Sequence, residues 1–212
     1  MTNSNIVTRF APSPTGFFHL GGIRSALYNY LLARKHGGTF ILRCEDTDPA
    51  RSEKKYEDYF LEVFHWLGIE HDAYYRQSER TTIYREHLEK LIAEGKAYVS
   101  KEVPQEEGQR EEVIRFKNPN KSVTFEDLVL GTITFDTTEL GDFVIARDLD
   151  SPIYHFTVVV DDFLMGITHI IRGQEHVSNT PRQILIQEAL GAPRPIYAHG
   201  SIILNAERKT RH

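Results

Sequence analysis

The residues best suited to chemistry lie near the start of the chain. Arg9 to Gly22 reads Arg-Phe-Ala-Pro-Ser-Pro-Thr-Gly-Phe-Phe-His-Leu-Gly-Gly, and its end sets the imidazole of His19 beside Gly21 and Gly22. Glycines at such a place let a flat base or a phosphate approach the backbone, and an imidazole can donate a hydrogen bond to a phosphate. Further on come the acidic run Glu45-Asp46-Thr47-Asp48, the pair Asp161-Asp162 and the stretch Arg172-Gly-Gln-Glu-His176. By residue type the first stretch is a nucleotide site. Asp46, Asp48, Asp161 and Asp162 read as helix caps or loop anchors in preference to metal ligands, and no dedicated metal site is expected.

The flanking pattern supplies elements to hold these groups. Ile6, Val7 and Phe10 predict a short buried strand. Ile23, Ala26, Leu27, Tyr30 and Leu31 recur at the spacing of one buried helix face. Pro12 to Gly22 is then a strand-to-helix loop, with the helix beginning where the glycines end and His19 one turn ahead of it. Free N–H groups and the positive dipole end of that helix point back into the loop. Gly37-Gly38 closes the helix, and Thr39 to Cys44 reads as a second strand. Strand, helix, strand implies parallel neighbours joined by a right-handed crossover, with Glu45 and Asp46 at the carboxyl edge where open α/β sheets bind ligands.

Helices are predicted through Tyr56, Tyr59, Phe60, Val63 and Leu67, stopped by Gly68, and over Thr82–Ala93, stopped by Gly95. A charged connector, Lys101–Glu112, leads into short β-like runs at Val113–Phe116, Val123–Phe125, Ile133–Phe135 and Phe143–Ala146. Arg110, Arg115, Lys117 and Lys121 in this part fit either a polar surface or an RNA-contacting patch. Near Tyr154 the nucleotide-fold pattern resumes. Phe156 and Val158 to Val160 form an apolar run, Thr168–Arg172 a buried strand, and Thr180-Pro-Arg-Gln183 a capping box opening a helix that ends at Gly191. Ile196–Ala198 and Ile202–Leu204 supply further strand. The fold class is α/β, a Rossmann-like parallel sheet in which 1–80 and 151–212 are the two halves of a nucleotide-binding domain. Residues 81–150 would be a small inserted α+β domain.

Composition narrows the function classes. The chain has 212 residues, 40% of them hydrophobic, and no long apolar run, so a globular protein outside the membrane is expected. A net charge of −5 is not that of a bulk nucleic-acid binder, and any RNA contact would need a local basic patch. Cys44 is the single cysteine, which excludes an intramolecular disulfide and a cysteine-rich zinc knuckle and suits a reducing cytoplasm. Met1 to Asn5 has neither a basic start nor an apolar stretch, so no secretory signal is expected.

The whole Arg9–Gly22 run, with Leu27-Tyr-Asn-Tyr30 and Leu42-Arg-Cys-Glu-Asp-Thr-Asp48, resembles the bacterial glutamyl-tRNA synthetases, which are class I aminoacyl-tRNA synthetases. His19-Leu-Gly-Gly22 is similar to their first signature. The glutaminyl branch, and the short enzymes that glutamylate a modified tRNA base, differ around these positions. The resemblance implies ATP, with magnesium carried on its phosphates and no zinc, and the partners L-glutamate and a tRNA acceptor end, with a monomer expected. It implies catalytic roles for His19, Gly21, Gly22 and Lys209, and ATP contacts from Pro12, Thr15, His19, Gly21, Gly22, Glu175 and Leu204. Glutamate contacts would come from Arg9, Ala11, Ser13, Glu45, Tyr154, Arg172 and His176.

The resemblance also has a gap. The family's second signature, a Lys-Leu-Ser-Lys-Arg-like loop that clamps the triphosphate, is matched within these 212 residues only by Lys209 and Arg211, and no anticodon-reading helical domain is expected among them. A truncated or minimal activating domain is therefore expected. The alternatives are a paralogue that passes the amino acid to another acceptor and a fragment that binds ATP, glutamate or an acceptor stem without turnover.

Overall fold

The computed structural model describes residues 5–103 and 111–203. In chain order the elements are β1 (Val7–Phe10), α1 (Leu20–Lys35), β2 (Thr39–Cys44), α2 (Lys54–Leu67), β3 (Ala73–Arg76) and α3 (Thr81–Ala93). Then come β4 (Ala97–Lys101), β5 (Glu112–Phe116), β6 (Ser122–Asp127), β7 (Gly131–Asp136) and β8 (Phe143–Ala146). The last are α4 (Tyr154–Leu164), β9 (His169–Gly173), α5 (Thr180–Leu190) and β10 (Ile196–Gly200).

One sheet runs β3-β2-β1-β9-β10-β6-β7, and a second runs β4-β5-β8. In the first sheet every pairing is parallel except the β6–β7 hairpin. From β1 the chain crosses through α1 to β2 on one side, and it returns through β9 to the other side of β1. The strand order therefore reverses at the β1–β9 junction, and a crevice opens there at the carboxyl ends of the strands.

The strands of 81–150 divide between the two sheets, with the β6–β7 hairpin continuing the main sheet beside β10. A single apolar cluster includes Tyr84, Leu88, Ile114, Phe116 and Ile145 together with Phe156, Val159, Ile170 and Leu185. The core is thus continuous across positions 80 and 150. A smaller cluster of Ala26, Ala33, Phe40, Leu42, Phe60 and Phe64 lies between α1, α2 and β2.

Four sequence readings are corrected. First, α1 starts at Leu20, with His19 as its N-cap, so Gly21 and Gly22 lie inside the first turn. Second, the face of α1 against the sheet is Ala26, Asn29 and Ala33, whereas Leu27 and Leu31 are 39% and 50% exposed. Small side chains let the helix sit close to the strands. Asn29 ties them together, accepting Thr8 Oγ1 on its carbonyl at 2.8 Å and donating from Nδ2 to Ile171 O at 2.9 Å. Third, Ile202 and Ile203, expected in a strand, lie outside any strand; the apolar run at 156–160, for which the sequence predicts no element type, is part of helix α4 and is buried on nearly all sides. Fourth, Thr180 forms no capping box; α5 follows directly from a 3-10 turn at Gln174–Asn179, and the Thr180 hydroxyl is used elsewhere. β3 and β4 carry no strand signal recognised in the sequence.

Candidate active site

A cavity of about 480 Å³ fills the crevice where the strand order reverses. Its floor is the carboxyl end of β1, with Arg9, Phe10 and Ala11, and of β9, with Ile171, Arg172 and Gly173. Ser13, His19, Gly21, Gly22, Arg24 and Ser25 line one wall, and Glu45, Tyr154, Glu175 and His176 line the other. Pro12, Thr15 and Phe17 border an adjoining space that shares Ser13, His19 and Gly22 with the cavity. The described residues expected at the site line this cavity, except Pro12 and Thr15, which border only the adjoining space. Leu204 and Lys209 lie outside the described residues. Sequence reasoning missed Arg24, Ser25, Ile171, Ile202 and Ile203 in the wall.

The helix start is built as an anion-facing end. His19 Nδ1 accepts the Gly22 N–H at 3.4 Å, which places the ring proton on Nε2, the nitrogen free to donate. A Cβ on Gly21 would stand 3.1 Å from the His19 ring, and one on Gly22 would meet the Phe18 ring at 2.5 Å. Phe18 packs against Phe10 and Phe64, so it cannot swing away cheaply. Close approach requires glycine at position 22, and at position 21 a side chain would press on the His19 ring.

Below the cavity lies a buried ionic network. Asp162 takes both Arg9 Nε at 3.0 Å and Arg9 Nη2 at 3.2 Å, and also Arg43 Nη1 at 2.8 Å. Arg43, completely buried, also donates to Glu45 Oε1 at 3.0 Å. Asp161 accepts from Arg80 Nε at 2.7 Å, Tyr84 OH at 2.8 Å and Gln77 Nε2 at 2.9 Å. Burial alone would push the Asp162 carboxyl upward, yet Arg9 and Arg43 hold it below its ordinary value. The Glu45 carboxyl is raised by its burial against the opposing pull of Arg43 and Arg9. Asp161 and Asp162 are therefore structural anions with guanidinium partners. Asp46 accepts from the Ser78 N–H and hydroxyl, and Asp48 from the Ala50 N–H and Arg51, as loop anchors do. Among the described residues no group of three or more His, Cys, Asp or Glu is placed to hold a metal ion.

Arg172 differs from Arg9 and Arg43. It is 7% exposed, and no carboxylate among the described residues forms an ion pair with it. Nε donates to His199 Nε2 at 3.0 Å and Nη2 to Thr180 Oγ1 at 2.8 Å, while Nη1 is buried without a hydrogen-bond partner among the described residues. Burial lowers the pKa of the guanidinium, the cost of holding a charge away from water. Burial together with nearby Arg172 also pushes His176 down to about 4, so its ring is neutral where it faces Tyr154.

The parallel sheet, the His-capped glycine helix and the charged cavity at the strand ends define a Rossmann-like α/β catalytic domain. The chain belongs to the family described as tRNA synthetases class I (E and Q), catalytic domain, which matches residues 5–112 and 101–211. It is 49% identical over 239 residues to the glutamate–tRNA ligase of Aquifex aeolicus, covering 97% of this chain and 50% of that one. The glutamate–tRNA ligase of Geobacter sulfurreducens is 48% identical over 237 residues, covering 98% and 51%.

Among solved structures, a glutamate tRNA ligase from Elizabethkingia meningosepticum in complex with its amino acid superposes with a TM-score of 0.89 at 34% identity, over 95% of this chain and 50% of that one. The glutamate–tRNA synthetase of Elizabethkingia anophelis gives 0.91 at 33% identity, over 99% and 52%. The chain spans about half the length of the relatives it matches. Among the described residues no helix is long and apolar enough to cross a membrane.

Proposed function

We propose that the chain activates L-glutamate with ATP and transfers the glutamyl group to the 3′ end of a tRNA. The observation that carries this reading is the buried, unpaired guanidinium of Arg172 in the same cavity as the His19–Gly22 helix start. A dicarboxylic amino acid brings two anions and one cation. In this reading Arg172 takes the side-chain carboxylate, Glu45 the ammonium and Tyr154 supplies a hydroxyl, with Arg9, Ala11, Ser13 and His176 completing the contacts. Arg9 enters already fixed by Asp162, so it contributes a rigid positive field to the cavity wall.

ATP would lie across the first turn of α1, its phosphates facing the N–H groups and His19 Nε2, with Pro12, Thr15, Gly21, Gly22 and Glu175 around it. Magnesium would arrive on the phosphates. In activation a carboxylate oxygen of glutamate attacks the α-phosphorus and the bond to the bridging oxygen breaks, so pyrophosphate leaves. The glutamyl group then passes from adenylate to a ribose hydroxyl at the tRNA end. The protein positions the reactants and stabilises charge. Segment 81–150 is assigned to the acceptor end.

The test is glutamate-dependent exchange of pyrophosphate into ATP, first without tRNA and then with it. Exchange with glutamate and with no other amino acid is expected. ATP and glutamate binding without exchange in either condition would replace the enzyme by a binding fragment, a reading that the span of only half the relatives' length also accommodates.

A further inference from the structure

Two of the three nitrogens of the Arg172 guanidinium are held by a side chain from the neighbouring strand and one from a helix. His199 on β10 accepts Arg172 Nε at 3.0 Å, and Thr180 at the start of α5 accepts Nη2 at 2.8 Å. Behind the imidazole, His199 Nδ1 lies 2.6 Å from Asp127 Oδ2, at the end of β6. The same carboxylate caps the hairpin tip, accepting the Val129 and Leu130 N–H groups at 3.0 Å each, and it accepts the His199 N–H at 3.1 Å. His199 and Thr180 are completely buried and Asp127 is 4% exposed.

Chemistry fixes the protons in this chain. A carboxylate can only accept, so Nδ1 of His199 must carry its hydrogen. A guanidinium can only donate, so Nε2 must present its lone pair. Both ends demand the same neutral tautomer. Asp127 thus fixes the imidazole without touching Arg172, which has no ion pair among the described residues. Arg9 shows the other arrangement, in which a carboxylate sits directly on the guanidinium. A neutral acceptor at Nε and another at Nη2 orient Arg172 and leave its charge for a ligand.

We propose that Asp127 and His199 are positioning residues that hold Arg172 for a substrate side-chain carboxylate and so set the preference for glutamate over uncharged glutamine. The inference rests on the assignment of glutamate to this cavity. Neither residue lines the cavity, and Asp127 reaches it only through His199 and Arg172.

The decisive variant is Asp127→Asn in the full chain. Its amide can still accept the hairpin N–H groups through oxygen while its NH2 faces His199 Nδ1. The ring proton then moves to Nε2, where it opposes the Nε–H of Arg172. Binding isotherms for L-glutamate, L-glutamine and ATP should show glutamate affinity reduced tenfold or more, with the glutamate-to-glutamine ratio reduced alongside. ATP affinity should stay within twofold of the parent. A purely structural role would weaken glutamate and ATP together.

Nitrogen-15 NMR of the histidine rings gives a reading that needs no variant, since His199 of the parent chain should be protonated at Nδ1 alone. Protonation at Nε2, or a folded variant with unchanged glutamate affinity, overturns the proposal and leaves the glutamate assignment standing. A parent chain that binds ATP and no glutamate overturns the assignment itself, and the proposal with it.

Discussion

Two arginines at the same sheet edge show how little residue type alone decides. Arg9 and Arg172 both end parallel strands beside the cavity, yet Asp162 saturates one face of Arg9 while only neutral acceptors touch Arg172. Removing Arg172 as Arg172→Ala should weaken glutamate by about 2 kcal/mol or more, roughly 30-fold, because a buried hydrogen-bonded charge pair loses a partner. ATP affinity should hardly change, and calorimetric titration with each ligand checks both; equal loss of the two would sink the assignment. His19→Ala should spare glutamate affinity and slow pyrophosphate exchange by about a hundredfold, the scale of one lost oxyanion-type donor. A variant that melts earlier but exchanges normally would reduce His19 to a helix cap. The candidate site was legible because its residues cluster in short motifs. Asp127, Thr180 and His199 were not, since nothing local marks a residue whose partner lies on another strand.

Among the elements, α1 is where pattern and packing disagree. Its leucines recur at helical spacing, yet the buried stripe is Ala26, Asn29 and Ala33. Leu31→Gln should therefore leave stability within about 0.5 kcal/mol, as for other surface changes. The junction after α1 is far less tolerant. A Cβ on Gly38 would sit 2.0 Å from the carbonyl oxygen of Ile6, which accepts the Thr39 N–H at 2.8 Å to start the β1–β2 pairing. That oxygen is backbone and cannot step aside without breaking the register. Gly38→Ala should cost about 2 kcal/mol or more, lowering the melting temperature by roughly 4–8 °C. Gly16→Ala, with no atom within 4 Å of the added carbon, is the matched control in thermal melts.

For the whole molecule, buried charge ties helix α4 to the main sheet. Asp162 on α4 pairs with Arg9 on β1 and Arg43 on β2, so Asp162→Asn should destabilise by about 3–5 kcal/mol, readable from urea unfolding. Acid should loosen the fold as its buried histidines take up protons. Burial and nearby arginines push His155 and His176 down to about 4, and burial lowers His169 and His199 as well. Their unfolded value is about 6.5, so between roughly pH 6.5 and 4 the unfolded chain binds more protons than the folded one. Stability therefore rises with pH through that window. Glu45, raised by burial, acts in the opposite direction as a single group against four histidines. Melting temperature should fall steadily on acidification from pH 7 to 4; a flat profile would show these rings titrating normally.

The sequence by itself determined the parallel α/β class, the strand–loop–helix that carries His19 and the glycines, and most of the residues that line the cavity. These are local: helix stops such as Gly68 and Gly191 act within one turn, and periodicity is written into neighbouring positions. Tertiary structure decided which face of α1 is buried, that Phe156–Val160 is a helix, and that Thr180 serves Arg172 instead of capping its own helix. It also decided which arginine is neutralised and which is left charged. Each of those outcomes depends on what another strand brings within about 3 Å, the distance over which hydrogen bonds and desolvation act, and no spacing along one chain encodes that.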